Sequence, residues 1–283
     1  MEFTHNKEFA KAYQTLLKQY KRKIIKVMIY VASSFVIPTI LFFILYDVKE
    51  IYKFLFLVSL GLFLVLWLMT LILNFVYISE KPYYEYLYPK VVDDINTSEP
   101  VLFLYQSFPK QKDFFYASNL YPTFSAKILN SKLSFESKYH YAIDVYDTLV
   151  YNPGQKSVSY LNGFYYVIKE YQAPIFQLRT LHSPYGRLKY NKLTDIDDLR
   201  AYVTPGQFDI DTKYIRLYTL IKEVFESPSV SISSTGDELH IGISLKPMTR
   251  RIRKFDETSF FKLRRMLMQI VDISNLIKPQ DKK

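Results

Sequence analysis

The chain of 283 residues contains no cysteine, only seven glycines and a single tryptophan. Without cysteine it can form no disulfide, use no thiol nucleophile and offer no thiolate to a metal ion. Seven glycines leave little room for a glycine-rich phosphate loop, and no such motif is present. No serine stands in a G-x-S-x-G elbow, and the four histidines are scattered. The common signatures of catalysis are therefore missing, and no cofactor is predicted.

Formal charge is missing from two long stretches near the start of the chain. Residues 27–46 and 54–79 are 20 and 26 uncharged, mostly apolar residues, separated only by DVKEIYK. About 20 apolar residues in a helix cross a hydrocarbon core of about 30 Å. We therefore predict a transmembrane hairpin over residues 24–79, with spans at about 24–46 and 54–79. A pair of soluble core helices is the alternative, but the second run lacks the polar face that such a helix usually shows.

Lysine and arginine are distributed unevenly around the two runs. Residues 1–26 carry seven of them, and the segment between the runs carries two. Cations beside membrane spans stay on the cytoplasmic side, which predicts a multi-pass protein of the cell membrane with both termini in the cytoplasm. A signal peptide fits less well, because no A-x-A-like cleavage site follows the first run. The residues assigned to setting this orientation are Lys18, Lys21, Arg22, Lys23 and Lys26.

The segment before the first span has helical periodicity. Phe9, Tyr13, Leu16 and Tyr20 recur on one stripe, with lysines opposite. Residues 1–23 are therefore predicted to form an amphipathic cytoplasmic helix. Its apolar stripe can lie on lipid or dock on the domain that follows the spans.

Residues 80–283 predict one cytoplasmic α+β domain with an antiparallel sheet and packed helices. Aromatic and β-branched residues alternate, or run without interruption, in four consecutive segments and in a later hairpin with a Gly236-Asp237 turn. In the first of these segments, Phe124, Ala126 and Ile128 are expected on the inner face. The predicted strands lie within residues 124–137, 138–152, 158–170, 175–181 and 229–245; helical stripes lie within 83–96, 211–227 and 255–277.

Two groups of polar residues suggest metal sites only weakly. His140 and Asp144 are expected on one strand face, but no third ligand accompanies them, which favours an ordinary surface pair. Asp195–Asp198 has the start of a calcium loop without its glycine and glutamate. We interpret this segment as a polar loop that caps a helical turn entering LRAYV, and we predict no metal site.

The strongest remaining feature is a basic segment near the end of the chain. Residues 246–265 contain eight basic and two acidic residues. Such a cluster beside anionic lipid gains about 1 kcal/mol per cation held near the surface. A solvated charged face explains the segment equally well, and nucleic-acid binding comes third because no recognition motif accompanies it. The residues assigned to an anionic surface are Arg250, Arg251, Arg253, Lys254, Lys262, Arg264 and Arg265.

Several segments of residues 80–283 resemble a bacterial membrane-anchored family, the family of domain of unknown function 3137. The similar segments are YLNGFYYVIKEYQAPIFQLRTLH, DDLRAYVTPGQFDIDTKYIRLYTLIKE, SVSISSTGDELHIGISL and FFKLRRMLMQIVDISNLI. The resemblance places Gly163, Tyr202, Thr204 and Pro205 at family-like positions. It implies two spans followed by this domain, and it carries no catalytic residues.

Together these patterns predict an integral membrane protein whose cytoplasmic domain binds or scaffolds at the inner leaflet without catalysing a reaction. Its expected partners are the lipid bilayer, anionic lipids of the inner leaflet, and a membrane or cytosolic protein. A membrane-tethered enzyme with a site assembled from dispersed residues is the alternative. Binding of anionic lipid or nucleic acid through residues 246–265 is a further alternative.

Overall fold

The structure, a computed structural model, describes residues 3–76, 83–110, 112–180, 191–196, 199–206, 210–226, 229–245 and 257–277. The chain divides into two compact units. The first consists of Met1–Leu87 with Arg253–Glu257, and the second of Tyr88–Ile252 with Thr258–Lys283.

Three helices make up most of the first unit. They are α1 (Phe3–Ser34), α2 (Val36–Ile44) and α3 (Glu50–Val76). The predicted amphipathic segment and the start of the first apolar run belong to one continuous helix, α1. The break between α1 and α2 at Phe35 follows from Pro38, which has no amide hydrogen to donate to the carbonyl of Ser34.

Aromatic side chains close the turn between α2 and α3. The Phe56 ring packs against Phe43 and against the edge of Tyr46, with ring centroids 5.5 and 5.8 Å apart. Lys53 lies over the Tyr46 ring and pairs with Glu50 at 2.8 Å. At the other end of this unit, Tyr20 Oη donates a 2.6 Å hydrogen bond to a Glu85 carboxylate oxygen.

Two helical stretches of the first unit are long and apolar enough to cross a membrane. They are Lys11–Ile44 and Glu50–Thr70, and only 6% of the most apolar window of each is buried within the protein. Large apolar side chains such as Ile37, Phe54 and Leu68 are instead exposed. A helix in a soluble core would bury such side chains, so these helices indicate membrane association.

A π-helical turn (Tyr83–Leu87) leads into α4 (Tyr88–Ser98), where Pro89 lies in the first turn and needs no hydrogen-bond acceptor. These two helical segments lie over the helical stripe that the sequence predicts within residues 83–96. Two further helices of the second unit are predicted correctly. They are α6 (Thr212–Val224), capped by the Asp211 side chain, and α7 (Glu257–Leu276). A short helix, α5 (Phe114–Ala117), was not predicted.

Nine strands of the described residues form one sheet in which all neighbours are antiparallel. The sheet order is β1-β2-β3-β4-β9-β8-β5-β7-β6. The strands are β1 (Leu104–Ser107), β2 (Ala126–Glu136), β3 (Ala142–Asn152), β4 (Gln155–Ile168), β5 (Phe176–Thr180), β6 (Asn191–Ile196), β7 (Leu199–Val203), β8 (Val230–Ser234) and β9 (Leu239–Ser244). The predicted α+β class with an antiparallel sheet is confirmed.

Helices cover one face of the sheet, here called the helix face. Ile143, Phe164 and Ile241 point to it and are buried. From α4, Tyr88 stacks on Tyr105 of β1 at 5.0 Å; from α6, Tyr214 packs on Phe176 of β5 at 4.4 Å. These contacts hold two helices over widely separated parts of the sheet.

A segment of loop and short helix, residues 112–125, covers the opposite face, here called the loop face. Phe114 stacks on Tyr146 at 4.2 Å, and Phe115 packs on Tyr165 at 4.4 Å. Further along, the Ser233 hydroxyl donates to the carbonyl of Ser118 at 2.8 Å. Strand β4 lies between β3 and β9, and both of its faces are covered, one by helices and the other by residues 112–125. A strand that is buried on both faces has apolar residues at consecutive positions, which explains the continuous apolar pattern of β4.

Two expectations about individual segments are wrong. A bulge between Leu129 and Ser131 changes which residues of β2 face the core, so Ile128 is exposed whereas Leu129 is buried. Phe124 is exposed as well. The expected helical turn entering LRAYV is instead strand β7, which pairs with β6.

Replacing Gly163 of β4 should separate two central strands. A Cβ at this position would lie 1.9 Å from the carbonyl oxygen of Ile243 in β9. We expect Gly163→Ala to lose roughly 2 kcal/mol of unfolding free energy, measured by denaturant unfolding of the full chain in detergent. Gly154→Ala is the control, since its nearest neighbour is 3.5 Å away. Equal midpoints for both variants would contradict this packing.

Candidate functional site

The structure describes only part of the predicted anionic-surface residues. Arg250, Arg251, Arg253 and Lys254 lie outside the described residues. Lys262 and Arg265 are exposed on α7. Because both side chains are exposed, they could contact an anionic surface, and their role in binding one stays a prediction.

Arg264 has a different environment from its neighbours on α7. Its Nε lies 3.1 Å from an Asp94 carboxylate oxygen, and one Nη donates to Glu99 at 2.5 Å. The same terminal nitrogen donates to the Ser98 hydroxyl at 3.0 Å. These bonds raise the pKa of Arg264, with Glu99 contributing most. The Arg264 guanidinium therefore ties α7 to α4 through its Nε and one of its Nη nitrogens.

The predicted pairing of His140 with Asp144 does not occur. His140 lies in the turn before β3 with φ +64°, and its Nδ1 contacts a Glu136 carboxylate oxygen. Of the other histidines, His182 lies outside the described residues, and His240 is completely buried in β9. No group of three metal-ligating side chains forms within the part of the chain that the structure describes.

Asp144 of β3 is instead the centre of a cluster of charges on the loop face. Its Oδ1 accepts a hydrogen bond from Ser134 at 2.6 Å and lies 3.1 Å from Lys132 Nζ. Its Oδ2 lies 2.9 Å from Lys169 Nζ. Burial by itself would raise the pKa of Asp144, but the bonds from Ser134, Lys169 and Lys132 outweigh it and lower the pKa.

A second polar group lies on the neighbouring part of the same face. His240 Nδ1 shares a 3.2 Å hydrogen bond with the Tyr165 hydroxyl, and its Nε2 lies 3.2 Å from a Glu238 carboxylate oxygen. The bond with His240 lowers the pKa of Glu238. Burial raises the pKa of Tyr165 well above its usual value.

The strand register brings these groups together. Ser134 is opposite Asp144 on β2 and β3, and Val167 of β4 is opposite both Asp144 and His240. Side chains directly opposite each other on antiparallel strands share a face, so Val167 and His240 become neighbours although they are 73 positions apart in the sequence. The sequence did not predict the cluster around Asp144, because the placement of β9 beside β4 cannot be read from local sequence patterns.

This cluster holds charge in a fixed arrangement. The carboxyls of Asp144 and Glu238 titrate below their ordinary range and the Tyr165 hydroxyl above it, so all three are shifted away from neutral pH. A general acid or base works best with a pKa near the operating pH. The directions of these pKa shifts therefore favour a structural or binding role for these three groups over proton transfer.

Comparisons with known proteins do not assign the chain to a family. No protein-family model matches it, and no curated protein matches it. Among solved structures, the crystal structure of the mycobacterial trehalose monomycolate transport factor A, TtfA, matches with 9% identity and a TM-score of 0.34. That match covers 69% of this chain and 97% of the other. A likeness of this size defines neither a shared fold nor a shared function, and the resemblance to domain of unknown function 3137 stays a prediction.

Substitutions of Arg264 and of its neighbours on α7 should have different effects, the first on stability and the others on lipid binding. We expect Arg264→Gln to lose roughly 1 kcal/mol of unfolding free energy, because Asp94 and Glu99 lose their partner. Lys262→Gln and Arg265→Gln should leave stability unchanged and weaken binding of water-soluble, short-chain phosphatidic acid to the full chain in neutral detergent. Denaturant unfolding and calorimetry in that detergent measure the two effects. The opposite pattern would show that α7 is held by other contacts.

Asp144 should make stability depend on pH. Its pKa is lower in the folded protein than the value of about 3.9 in an unfolded chain, so it stabilises the fold above about pH 5. This contribution is lost as the pH falls through the folded-state pKa. We expect Asp144→Asn to cost about 2 kcal/mol at pH 7, since Lys132 and Lys169 lose their counter-ion, and less at pH 3. Unfolding midpoints at both pH values test this, with exposed Asp272→Asn as the control. A pH-independent difference would contradict it.

Proposed function

We propose that the protein is anchored in the cell membrane by two spans and presents its α+β domain on the cytoplasmic side. The exposed apolar surface of the two long helices supports the anchor, because burying it in lipid removes a large hydrophobic penalty. The seven cations in residues 1–26, against two between the apolar runs, support the orientation.

The cytoplasmic domain acts in this proposal by binding rather than by catalysis. The observation that supports it is the Asp144 cluster, in which Lys132, Lys169 and Ser134 bind the Asp144 carboxylate and lower its pKa. Exposed Lys262 and Arg265 add positive charge that suits an anionic surface. The resemblance to domain of unknown function 3137 fits the same arrangement of anchor and domain, and membership of that family is part of the proposal.

Reporter fusions in a bacterial host test the orientation. Alkaline phosphatase, which is active only outside, and green fluorescent protein, which fluoresces inside, are fused after Lys283 or inserted at residue 48. We expect fluorescence after Lys283 and phosphatase activity at residue 48. A matched variant changes Lys18, Lys21, Arg22, Lys23 and Lys26 to Gln and adds lysines at the loop; its signals should exchange. Phosphatase activity after Lys283 in the unaltered protein would overturn the proposal.

A further inference from the structure

Lys127 is a buried cation at the margin of the loop face. It lies near the start of β2 and is 6% exposed. It is opposite Val150 of β3, which belongs to the apolar cluster under residues 112–125. Its Nζ donates to the carbonyl of Ser125 at 3.0 Å and lies 4.3 Å from the centre of the Tyr116 ring.

A second lysine reaches the same place. Lys112 Nζ donates to the carbonyl oxygen of Lys127 at 2.7 Å. Burial lowers the pKa of Lys127, and the nearby charge of Lys112 lowers it further. Over the described part of the chain, no carboxylate lies within ion-pair distance of either ammonium. Among the described residues the two ammoniums therefore have no counter-ion, and they are close enough for the charge of Lys112 to lower the pKa of Lys127.

Two other partly buried lysines of this domain have the carboxylate partner that Lys127 lacks among the described residues. Lys132 and Lys213 also lie over tyrosine rings, at 5.7 and 5.1 Å from the ring centres. Each of them has a carboxylate beside it, Asp144 at 3.1 Å and Asp211 at 3.4 Å respectively. Lys127 has no such carboxylate among the described residues, and the nearby Lys112 ammonium donates to its backbone carbonyl.

The hydrogen-bonding capacity of the pair is also incomplete. An ammonium has three donors, and each of these two uses one on a backbone carbonyl. The Tyr116 ring stabilises a cation but supplies no full negative charge. A buried charge without a partner is costly, so an anion that contacts both ammoniums would be bound favourably.

We propose that Lys112 and Lys127 bind a phosphate group, with the Tyr116 ring at the edge of the site. A phosphomonoester carries a charge of about −1.5 to −2 and three strong acceptor oxygens, which matches two ammoniums with free donors better than a carboxylate does. Tyr116 is 49% exposed, so its ring can contact the organic part of the ligand while solvent still reaches the site.

This inference gives a ligand class to the binding domain proposed above, and it rests on that proposal only for the side from which the ligand arrives. Phosphate binding by the full chain in neutral detergent does not depend on membrane orientation. If phosphate does not bind but the reporters give the expected pattern, only the phosphate site is disproved. If the reporters are inverted but phosphate binds, only the proposed membrane orientation is disproved.

The first experiment measures phosphate binding to the full chain in neutral detergent. Thermal unfolding is followed with inorganic phosphate and with chloride at matched ionic strength, and calorimetry measures the affinity. We expect phosphate to raise the unfolding temperature. Lys112→Met and Lys127→Met should weaken phosphate binding at least tenfold. Lys138→Met is the matched control, because Lys138 is exposed over the Tyr139 ring at 4.9 Å and should leave binding unchanged.

Lys112→Glu gives the sharper result, because it replaces one of the two cations that would contact the phosphate with an anion. This variant should not respond to added phosphate. It also keeps the test valid if Lys127→Met does not fold. An unaltered phosphate response in Lys112→Glu, or no response in the unaltered chain, would overturn the proposal.

A second experiment distinguishes a lipid headgroup from a soluble phosphate compound. The full chain is placed in nanodiscs of phosphatidylcholine, with or without phosphatidic acid, and its inorganic phosphate affinity is measured. Phosphatidic acid that competes with phosphate in a Lys112-dependent way identifies the headgroup as the ligand. Phosphate binding that phosphatidic acid leaves unchanged identifies a soluble ligand. Loss of phosphate binding from both kinds of nanodisc would count against the site.

Discussion

The second unit depends on one constraint: both faces of the central strands must be shielded from water. Phe164 and Tyr166 of β4 point to the helix face, whereas Tyr165 and Val167 point to the loop face, and all four are buried. A sheet of this kind needs two covers. Helices α4 and α6 contribute to one cover, and residues 112–125 form the other. Gly163 and Gly242 lack side chains where a neighbouring strand or the Tyr121 hydroxyl comes closest.

The loop-face cover has consequences for every polar group beneath it. Asp144, His240 and Lys127 all lie on that face and are all buried. An unpaired charge is unfavourable in a buried place, and Asp144 and His240 each have polar or charged partners there. Asp144 is surrounded by cations and a hydroxyl, and His240 lies between Tyr165 and Glu238. Lys127 has a carbonyl, a ring and a second lysine instead, which is why it suggests a ligand and the other two do not.

The fold was largely predictable where structure follows from local periodicity. Helix α6 could be predicted from apolar residues at helical spacing and from the cap at Asp211, and β8 and β9 from alternation around Gly236. Failures occurred where one strand departs from regular alternation or where a cover is irregular. The bulge in β2 reversed the expected inner face, and α5 is too short to leave a periodic signal.

By itself, the sequence determined which segments are apolar, where cations flank them, and which regularly periodic segments form helices or strands, because these depend on neighbours a few residues apart. Only the tertiary structure decided which charges meet. Lys132 and Lys169 converge on Asp144, Arg264 reaches back to Asp94, and Lys112 stands beside Lys127. These encounters depend on strand order and helix packing, which bring distant parts of the chain together after the local elements have formed.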